Sequence, residues 1–96
     1  MPIRLVISIQ AAPKKGARLA AAMRPRCRLA QQEPGCLQFE VFQSAMDPDR
    51  LTLLELWEDQ AALDAHAELN KTRPAIREGL RLGTGQREDY EYNRVR

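Results

Sequence analysis

His66 is the only histidine in the 96-residue chain and the side chain best suited to acid–base chemistry. Imidazole titrates near neutrality, so it exchanges protons under physiological conditions. His66 shares the apolar stripe of a predicted helix with Leu63 and Ala67, which directs its ring towards a sheet. There it could take the proton of a phenol or enol, and the electron-rich anion could then react with O2 directly. A core histidine that bonds a backbone carbonyl or a carboxylate is the alternative interpretation.

Glu55 and Trp57 lie two residues apart and therefore on the same face of a predicted strand. We expect Glu55 to orient the imidazole of His66 and to favour its charged form, and Trp57 to offer a flat wall to a planar substrate. The alternatives are a structural salt bridge or dimer contact for Glu55 and a place in the core for Trp57. Three further aromatic residues are candidates for the pocket wall by residue type alone: Phe39, Phe42 and Tyr90.

The sequence gives little support for a metal site, a reactive cysteine or a dinucleotide-binding loop. Cys27 and Cys36 are nine residues apart and lack C-x-x-C spacing, and one histidine cannot complete a four-ligand metal set with them. Nothing near Cys36 in sequence offers a base, so we predict that it packs as a free thiol. The glycines near residues 79–85 follow a helical segment, whereas a dinucleotide loop joins a strand to a helix. We therefore expect no metal and no cofactor.

The charge distribution bears on the class of partner. The net charge is only +2, although basic residues cluster between Lys14 and Arg28. Surfaces that bind nucleic acids interleave such residues with aromatic ones, and no aromatic residue lies between Lys14 and Leu37. No apolar run approaches the roughly 20 residues of a membrane span, and no signal peptide pattern precedes the first strand. We expect a cytoplasmic protein that binds neither nucleic acid nor membrane.

Residue periodicity predicts six regular elements. They are a strand at 3–10, a helix at 14–32, strands at 36–44 and 51–57, a helix at 59–70 and a strand at 86–94. We expect Pro25 to kink or break the first helix, Pro74 to begin a further helical piece, and residues 83–85 to form a loop.

This order of elements is the split βαβ arrangement, so the predicted fold is ferredoxin-like α+β, in a single domain of residues 1–96. Its four-stranded antiparallel sheet carries both helices on one face. The other face also bears apolar side chains, which predicts a homodimer that packs sheet against sheet.

Three sequence blocks carry a resemblance to a known family. The chain contains Glu33-Pro34-Gly35-Cys36-Leu37, then Leu54-Glu55-Leu56-Trp57-Glu58-Asp59, then Ala62-Leu63-Asp64-Ala65-His66. This E-P-G-C-L turn, E-x-W strand end and A-L-x-x-H helix resemble the antibiotic biosynthesis monooxygenase family, with the histidine nine residues after the tryptophan. The resemblance covers essentially the whole chain.

The resemblance implies a dimeric α+β barrel of ferredoxin-like subunits. Some members of that family oxygenate polycyclic phenols without metal or flavin. Haem-degrading relatives have tryptophan where His66 stands and histidine where Ile76 stands, so this chain departs from the haem pattern. The leading functional expectation is a cofactor-independent monooxygenase of small planar phenols or quinols. A non-catalytic small-molecule binding or sensing dimer, an isomerase of small carbonyl compounds and a structural dimer with a protein partner are the alternatives.

Overall fold

The computed structural model describes residues 1–76 and 79–91 and contains six regular elements. In chain order they are β1 (Ile3–Ala11), α1 (Gly16–Gln31), β2 (Cys36–Gln43), β3 (Arg50–Trp57), α2 (Gln60–Asn70) and β4 (Arg81–Glu91). The strands form one antiparallel sheet in the order β2-β3-β1-β4. This arrangement confirms the predicted ferredoxin-like α+β fold.

The register of the sheet places alternate side chains of neighbouring strands on a common face. Leu5 of β1 lies opposite Glu55 of β3, which also lies opposite Phe39 of β2. These three side chains are buried beneath the helices. Val6 and Leu54, one position along their strands, pair on the other face and are only half-buried. The sheet therefore has one face in the core and one face that no helix of the described chain covers.

Helix α1 covers the first of these faces and runs without interruption through Pro25. The predicted break is therefore wrong. Proline removes the hydrogen bond to the carbonyl of Ala21, but both residues are exposed, so water can satisfy that oxygen. Met23 and Cys27 flank Pro25 and are buried in the core, which holds both halves of the helix against the sheet.

The N-terminus of each helix is held by an aspartate. Asp49, in the turn between β2 and β3, accepts hydrogen bonds from the backbone N–H groups of Gly16 at 2.9 Å and Lys14 at 2.8 Å. The N-cap residue of α1 itself makes no side-chain cap, so this long-range contact supplies it. Asp59 caps α2, accepting from the N–H of Ala62 at 2.9 Å.

Strand β4 begins at Arg81, earlier than the predicted residue 86, so the predicted loop at 83–85 is wrong. Gly83 and Gly85 have φ values of 66° and 85°, and the pairing with β1 shifts between Ser8 and Gln10. The segment is an irregular stretch of strand, which glycine permits because it tolerates left-handed φ.

Two predictions fall near the gap and the end of the described chain. Pro74 begins no helix in the described residues 74–76 and 79–80, so the predicted third helical piece is not supported there. The last predicted strand residues, 92–94, lie outside the described residues.

Candidate functional site

Three rings from three elements meet on the buried face of the sheet. His66 of α2 lies 4.6 Å from Trp57 of β3 between ring centroids, with an interplanar angle of 33°. Phe39 of β2 lies 5.3 Å from His66 and 6.3 Å from Trp57. Trp57 is fully buried, and Phe39 and His66 are 4% and 7% exposed. The structure thus brings together three of the five ring residues that the sequence singled out.

A carboxylate holds the imidazole of His66. The two oxygens of Glu33, in the turn between α1 and β2, lie 2.9 and 3.2 Å from Nδ1 of His66. Nη1 of Arg73, which follows α2, donates to Oε2 of Glu33 at 2.8 Å. The Glu33 and His66 side chains are 8% and 9% exposed, and that of Arg73 is 13% exposed. We call these three residues the Glu33–His66–Arg73 triad.

The triad fixes the position of the histidine proton. The Glu33 carboxylate also accepts from the Arg73 guanidinium, and carboxylate oxygens accept hydrogen bonds only, so Nδ1 of His66 must donate to Glu33. The lone pair of the neutral ring then lies on Nε2, which has no hydrogen-bond partner among the described residues. A histidine oriented by a carboxylate in this way is suited to act as a general base.

Glu55 has a different role from the predicted one. Its Oε1 accepts a hydrogen bond from Nε1–H of Trp57 at 2.8 Å, and its side chain is buried. Burial raises the pKa of Glu55, while the hydrogen bond from Trp57 and the electrostatic influence of His66 and Arg87 act in the opposite direction. The expectation that Glu55 orients His66 is corrected: Glu33 orients the imidazole, and Glu55 anchors the indole.

The structure separates Phe42 and Tyr90 from this site. Phe42 pairs with Thr52 and Tyr90 with Arg4, all on the face of the sheet that lacks helices. The two rings are 44% and 52% exposed. Their prediction as walls of a pocket beside His66 is therefore corrected. That prediction rested on residue type alone, whereas the alternation of side chains along each strand decides which face of the sheet a side chain occupies.

A groove of about 340 Å³ opens beside His66, between α2 and the turn that precedes β2. We call it the α2 groove. Ala61, Ala65 and Leu69 supply apolar lining, and Glu33 of the triad also contributes to its wall. Its volume lies at the lower end of the range for small-molecule sites. Trp57 does not line this groove, because it has no exposed surface.

Gly35 allows α2 to approach the triad. Its φ of 81° is left-handed, and a Cβ atom added there would lie 2.5 Å from Cβ of Ala62. Its carbonyl also accepts a hydrogen bond from the N–H of Glu58 at 2.8 Å. Any larger residue would strain the turn and push against α2. The absence of a side chain at Gly35 therefore sets the distance between this turn and α2, which together form the groove.

The thiols and carboxylates of the described chain form no second reactive centre. Burial and the neighbouring carboxylates of Glu33 and Glu55 raise the pKa of Cys36 to about 11, which keeps its thiol protonated. Cys27 is likewise free and buried, with a raised pKa. Among residues 1–76 and 79–91, no three ligand-type side chains are grouped as a metal site.

Sequence reasoning missed Glu33 and Arg73 as site residues. Glu33 lay within the E-P-G-C-L block, but its contact with His66 spans 33 positions and depends on how α2 packs. Arg73 followed the predicted helix in a segment with no periodicity. The proline and glycine after Glu33 were the available signal, because they mark a fixed turn at the helix end.

A model of the family described as antibiotic biosynthesis monooxygenase matches residues 2–77. The chain belongs to the antibiotic biosynthesis monooxygenase family. This membership confirms the resemblance noted in the sequence, and the matched segment includes the whole Glu33–His66–Arg73 triad. No curated protein matches the chain at a significant level.

Solved structures resemble the chain over nearly its full length. A conserved protein from Methanosarcina mazei has a TM-score of 0.81 at 26% identity, covering 97% of this chain and 94% of its own. A protein from Pseudomonas aeruginosa has a TM-score of 0.73 at 27% identity, covering 99% and 95%. An antibiotic biosynthesis monooxygenase candidate from Nitrosomonas europaea has a TM-score of 0.77 at 22% identity, covering 93% and 88%. Such identities relate the folds and leave substrate and reaction to the site itself.

No helix in the described part of the chain has the length and apolar character that crossing a bilayer requires.

Proposed function

We propose that this protein is a monooxygenase that oxidises a small planar phenol or quinol with O2, without metal or flavin, and that His66 is its general base. The observation that carries the proposal is the triad: Glu33 holds the proton on Nδ1 of His66, which leaves Nε2 as a proton acceptor. Membership of the antibiotic biosynthesis monooxygenase family supports the reaction class. The apolar α2 groove beside His66 supports a small planar substrate.

The proposed reaction begins when Nε2 of His66 takes the proton of a phenolic hydroxyl. The phenolate then passes electrons to O2, and a C–O bond forms at the para ring carbon, which carries hydrogen. The imidazolium returns its proton to the distal oxygen to give a hydroperoxide. Loss of the ring C–H proton with departure of hydroxide gives a quinone and water. One oxygen atom enters the product, the other leaves as water, and the substrate supplies all four electrons.

The rest of the site supports His66 in this scheme. Glu33 stabilises the imidazolium that forms in the first step, and Arg73 donates a hydrogen bond to the same carboxylate. Trp57 and Phe39 pack against the imidazole and restrict its rotation. Glu55 fixes the indole of Trp57 in turn. In this proposal Phe39, Trp57 and Glu55 position the base, and the α2 groove receives the substrate.

Oxygen uptake with 1-naphthol tests the proposal. We expect one O2 consumed per 1,4-naphthoquinone formed, with no hydrogen peroxide released. Replacing the base, as in His66→Gln, should slow turnover by about 10²–10⁴-fold. Glu68→Gln is the control, because it alters only an exposed ion pair of the same helix. A folded His66→Gln protein with unchanged turnover would rule out the base role.

A second candidate is a non-catalytic domain that binds a small molecule. The observation that favours it is burial: Trp57 has no exposed surface and His66 very little, as in a core cluster. Such a domain would be stabilised thermally by its ligand and would form no product. An isomerase of small carbonyl compounds would use the same base and turn over without consuming O2.

We further propose that the protein is a homodimer that packs the two uncovered sheet faces together. That face carries Val6 and Leu54 at its centre, and the rings of Phe42 and Tyr90 towards its edges. The exposed fractions of Phe42 and Tyr90, 44% and 52%, are large for aromatic side chains. A second copy would remove this surface from water. We expect no nucleic-acid or membrane partner and a cytoplasmic location.

A further inference from the structure

A second groove is lined by Phe39 and by residues of α1. It has a volume of about 650 Å³ and lies between α1 and the edge strand β2. We call it the α1 groove. Ala17, Ala20 and Ala21 line its helical wall, and Phe39 and Val41 line its sheet wall. This volume lies well within the range of small-molecule sites.

Two arginines stand in the lining of this groove. Arg24 and Arg28 are four residues apart on α1, so they are neighbours on one helix face. Neither has a hydrogen bond or ion pair with any described residue. Arg26, on another face of α1, is by contrast bonded to Asn70 and to the carbonyl of Pro74. Two like charges at this spacing repel each other, and a bound anion would relieve that repulsion.

The described lining contains one carboxylate, Glu40, which leaves a positive balance against the two arginines. Glu40 accepts a hydrogen bond from Nε2 of Gln38 at 3.0 Å, so it already has a partner on its own strand. The charged head of a ligand would therefore face Arg24 and Arg28. Its apolar body would face the alanines and Phe39.

The backbone of β2 argues against a peptide as the occupant. An extended peptide would bind by pairing with the free edge of this strand. Nε2 of Gln31 already donates to the carbonyl of Phe39 at 2.9 Å. Cys27, one turn earlier on α1, lies beside Val41 in the groove lining. Side chains of α1 thus cover the middle of the edge, while the groove above it stays open to a compact ligand.

We propose that the α1 groove binds a planar aromatic carboxylate, with its carboxylate on Arg24 and Arg28 and its rings against Phe39 and the alanines. The α1 groove shares no lining residue with the α2 groove, although Phe39 also packs against His66, and this inference does not depend on the reaction proposed for His66. It assigns a role to two exposed arginines of the basic cluster that lies between Lys14 and Arg28.

Calorimetric titration of the full-length protein with 2-naphthoate tests this proposal. We expect saturable binding at one site per chain that weakens as salt is raised. The uncharged 2-naphthamide should bind at least tenfold more weakly. Arg24→Gln combined with Arg28→Gln should weaken 2-naphthoate binding at least tenfold. The control is Arg18→Gln, an exposed arginine of the same helix outside the groove lining, which should leave affinity unchanged.

A bulky side chain that fills the α1 groove gives a second, independent test of 2-naphthoate binding. Ala21 is exposed and lines the groove, so Ala21→Trp should fill it without disturbing the core, and it should abolish 2-naphthoate binding. Circular dichroism confirms that each variant is folded, and His66→Gln should leave this binding unchanged. Absence of 2-naphthoate binding would overturn the proposal. Equal affinity for the amide, or binding that survives both the arginine and Ala21→Trp variants, would also overturn it.

Discussion

At the scale of single residues, the site depends on how one carboxylate is shared. Glu33 accepts hydrogen bonds from both His66 and Arg73, so removing its charge affects two partners at once. We expect Glu33→Gln to lower the free energy of unfolding at pH 7 by about 1–3 kcal/mol, because it leaves the largely buried Arg73 without an ionised partner. Urea denaturation measures this loss.

The control for Glu33→Gln is Glu68→Gln, which removes an ion pair whose side chains are 71% and 75% exposed. Pairs this exposed contribute little, so we expect a change below about 0.5 kcal/mol. If Glu33→Gln is also this mild, the pairing of Glu33 with Arg73 does not stabilise the fold. Turnover separates the two roles of Glu33, because a loss greater than that of stability-matched variants would reflect the orientation of His66.

Glu55 predicts a pH dependence of stability. Burial raises its folded-state pKa above the ordinary value of 4.5, so the folded protein binds a proton more tightly than the unfolded chain. Its contribution to stability is therefore fully present below pH 4.5 and is lost as pH rises through the raised pKa. Glu55→Gln should lack this loss and gain stability relative to the parent protein as pH rises from 4.5 through the raised pKa.

Thermal denaturation of the parent and Glu55→Gln at a series of pH values checks this prediction. The difference between their melting temperatures should grow as pH rises through this range. The glutamine can still accept the Trp57 N–H bond, so packing is preserved. A pH-independent difference would mean that Glu55 does not titrate across the range.

At the scale of elements, the turn between α1 and β2 sets the distance to α2. Gly35→Ala should destabilise through both its left-handed φ and its contact with Ala62, by about 1–3 kcal/mol. Gly79→Ala is the matched control, because Gly79 has a similar φ of 86° with open space around it. Adding Ala62→Gly to Gly35→Ala should recover only the steric part. Equal losses for the two alanine variants in urea denaturation would contradict the proposed close approach.

Helix α1 depends on a cap that arrives from elsewhere in the chain. Asp49→Ala removes both acceptors at the helix N-terminus and should cost about 0.5–2 kcal/mol. Urea denaturation again measures the loss. Asp64→Ala is the control, since Asp64 makes only an exposed bond to Gln60 within α2. If the two losses match, the hairpin turn does not cap α1.

At the scale of the whole molecule, the uncovered sheet face predicts the oligomeric state. Sedimentation at micromolar concentration should give a particle of twice the 10.9 kDa chain mass. Leu54→Glu places a charge at the centre of that face, beside Val6, and should shift the particle to a monomer. Glu88→Gln, with an exposed side chain on the same face, should leave the dimer intact. A monomeric parent protein would refute the dimer.

The strands and helices were predictable because period-two and helical spacing follow from which side chains are buried. Trp57 and His66 were found for the same reason, since each lies on an inward stripe, whereas Phe39 was proposed by residue type alone. Glu33 was missed because its partner is 33 positions away. The predicted start of strand β4 was too late, because glycines usually end a strand. Here Gly83 and Gly85 lie within an irregular part of the strand. Local sequence periodicity thus predicted the elements, whereas the polar contacts depend on how distant elements pack together.

The weak anchoring of α2 to the sheet limits how long the site stays assembled. Of its 11 residues only Leu63 and His66 are buried, so the helix is anchored to the sheet through few side chains. Such lightly anchored helices exchange their amide hydrogens through local opening well before the rest of a domain unfolds. Each excursion of α2 would carry His66 away from Trp57 and Glu33 together. The lifetime of the assembled site would then be set by the detachment of one short helix, and occupancy of the α2 groove would lengthen it.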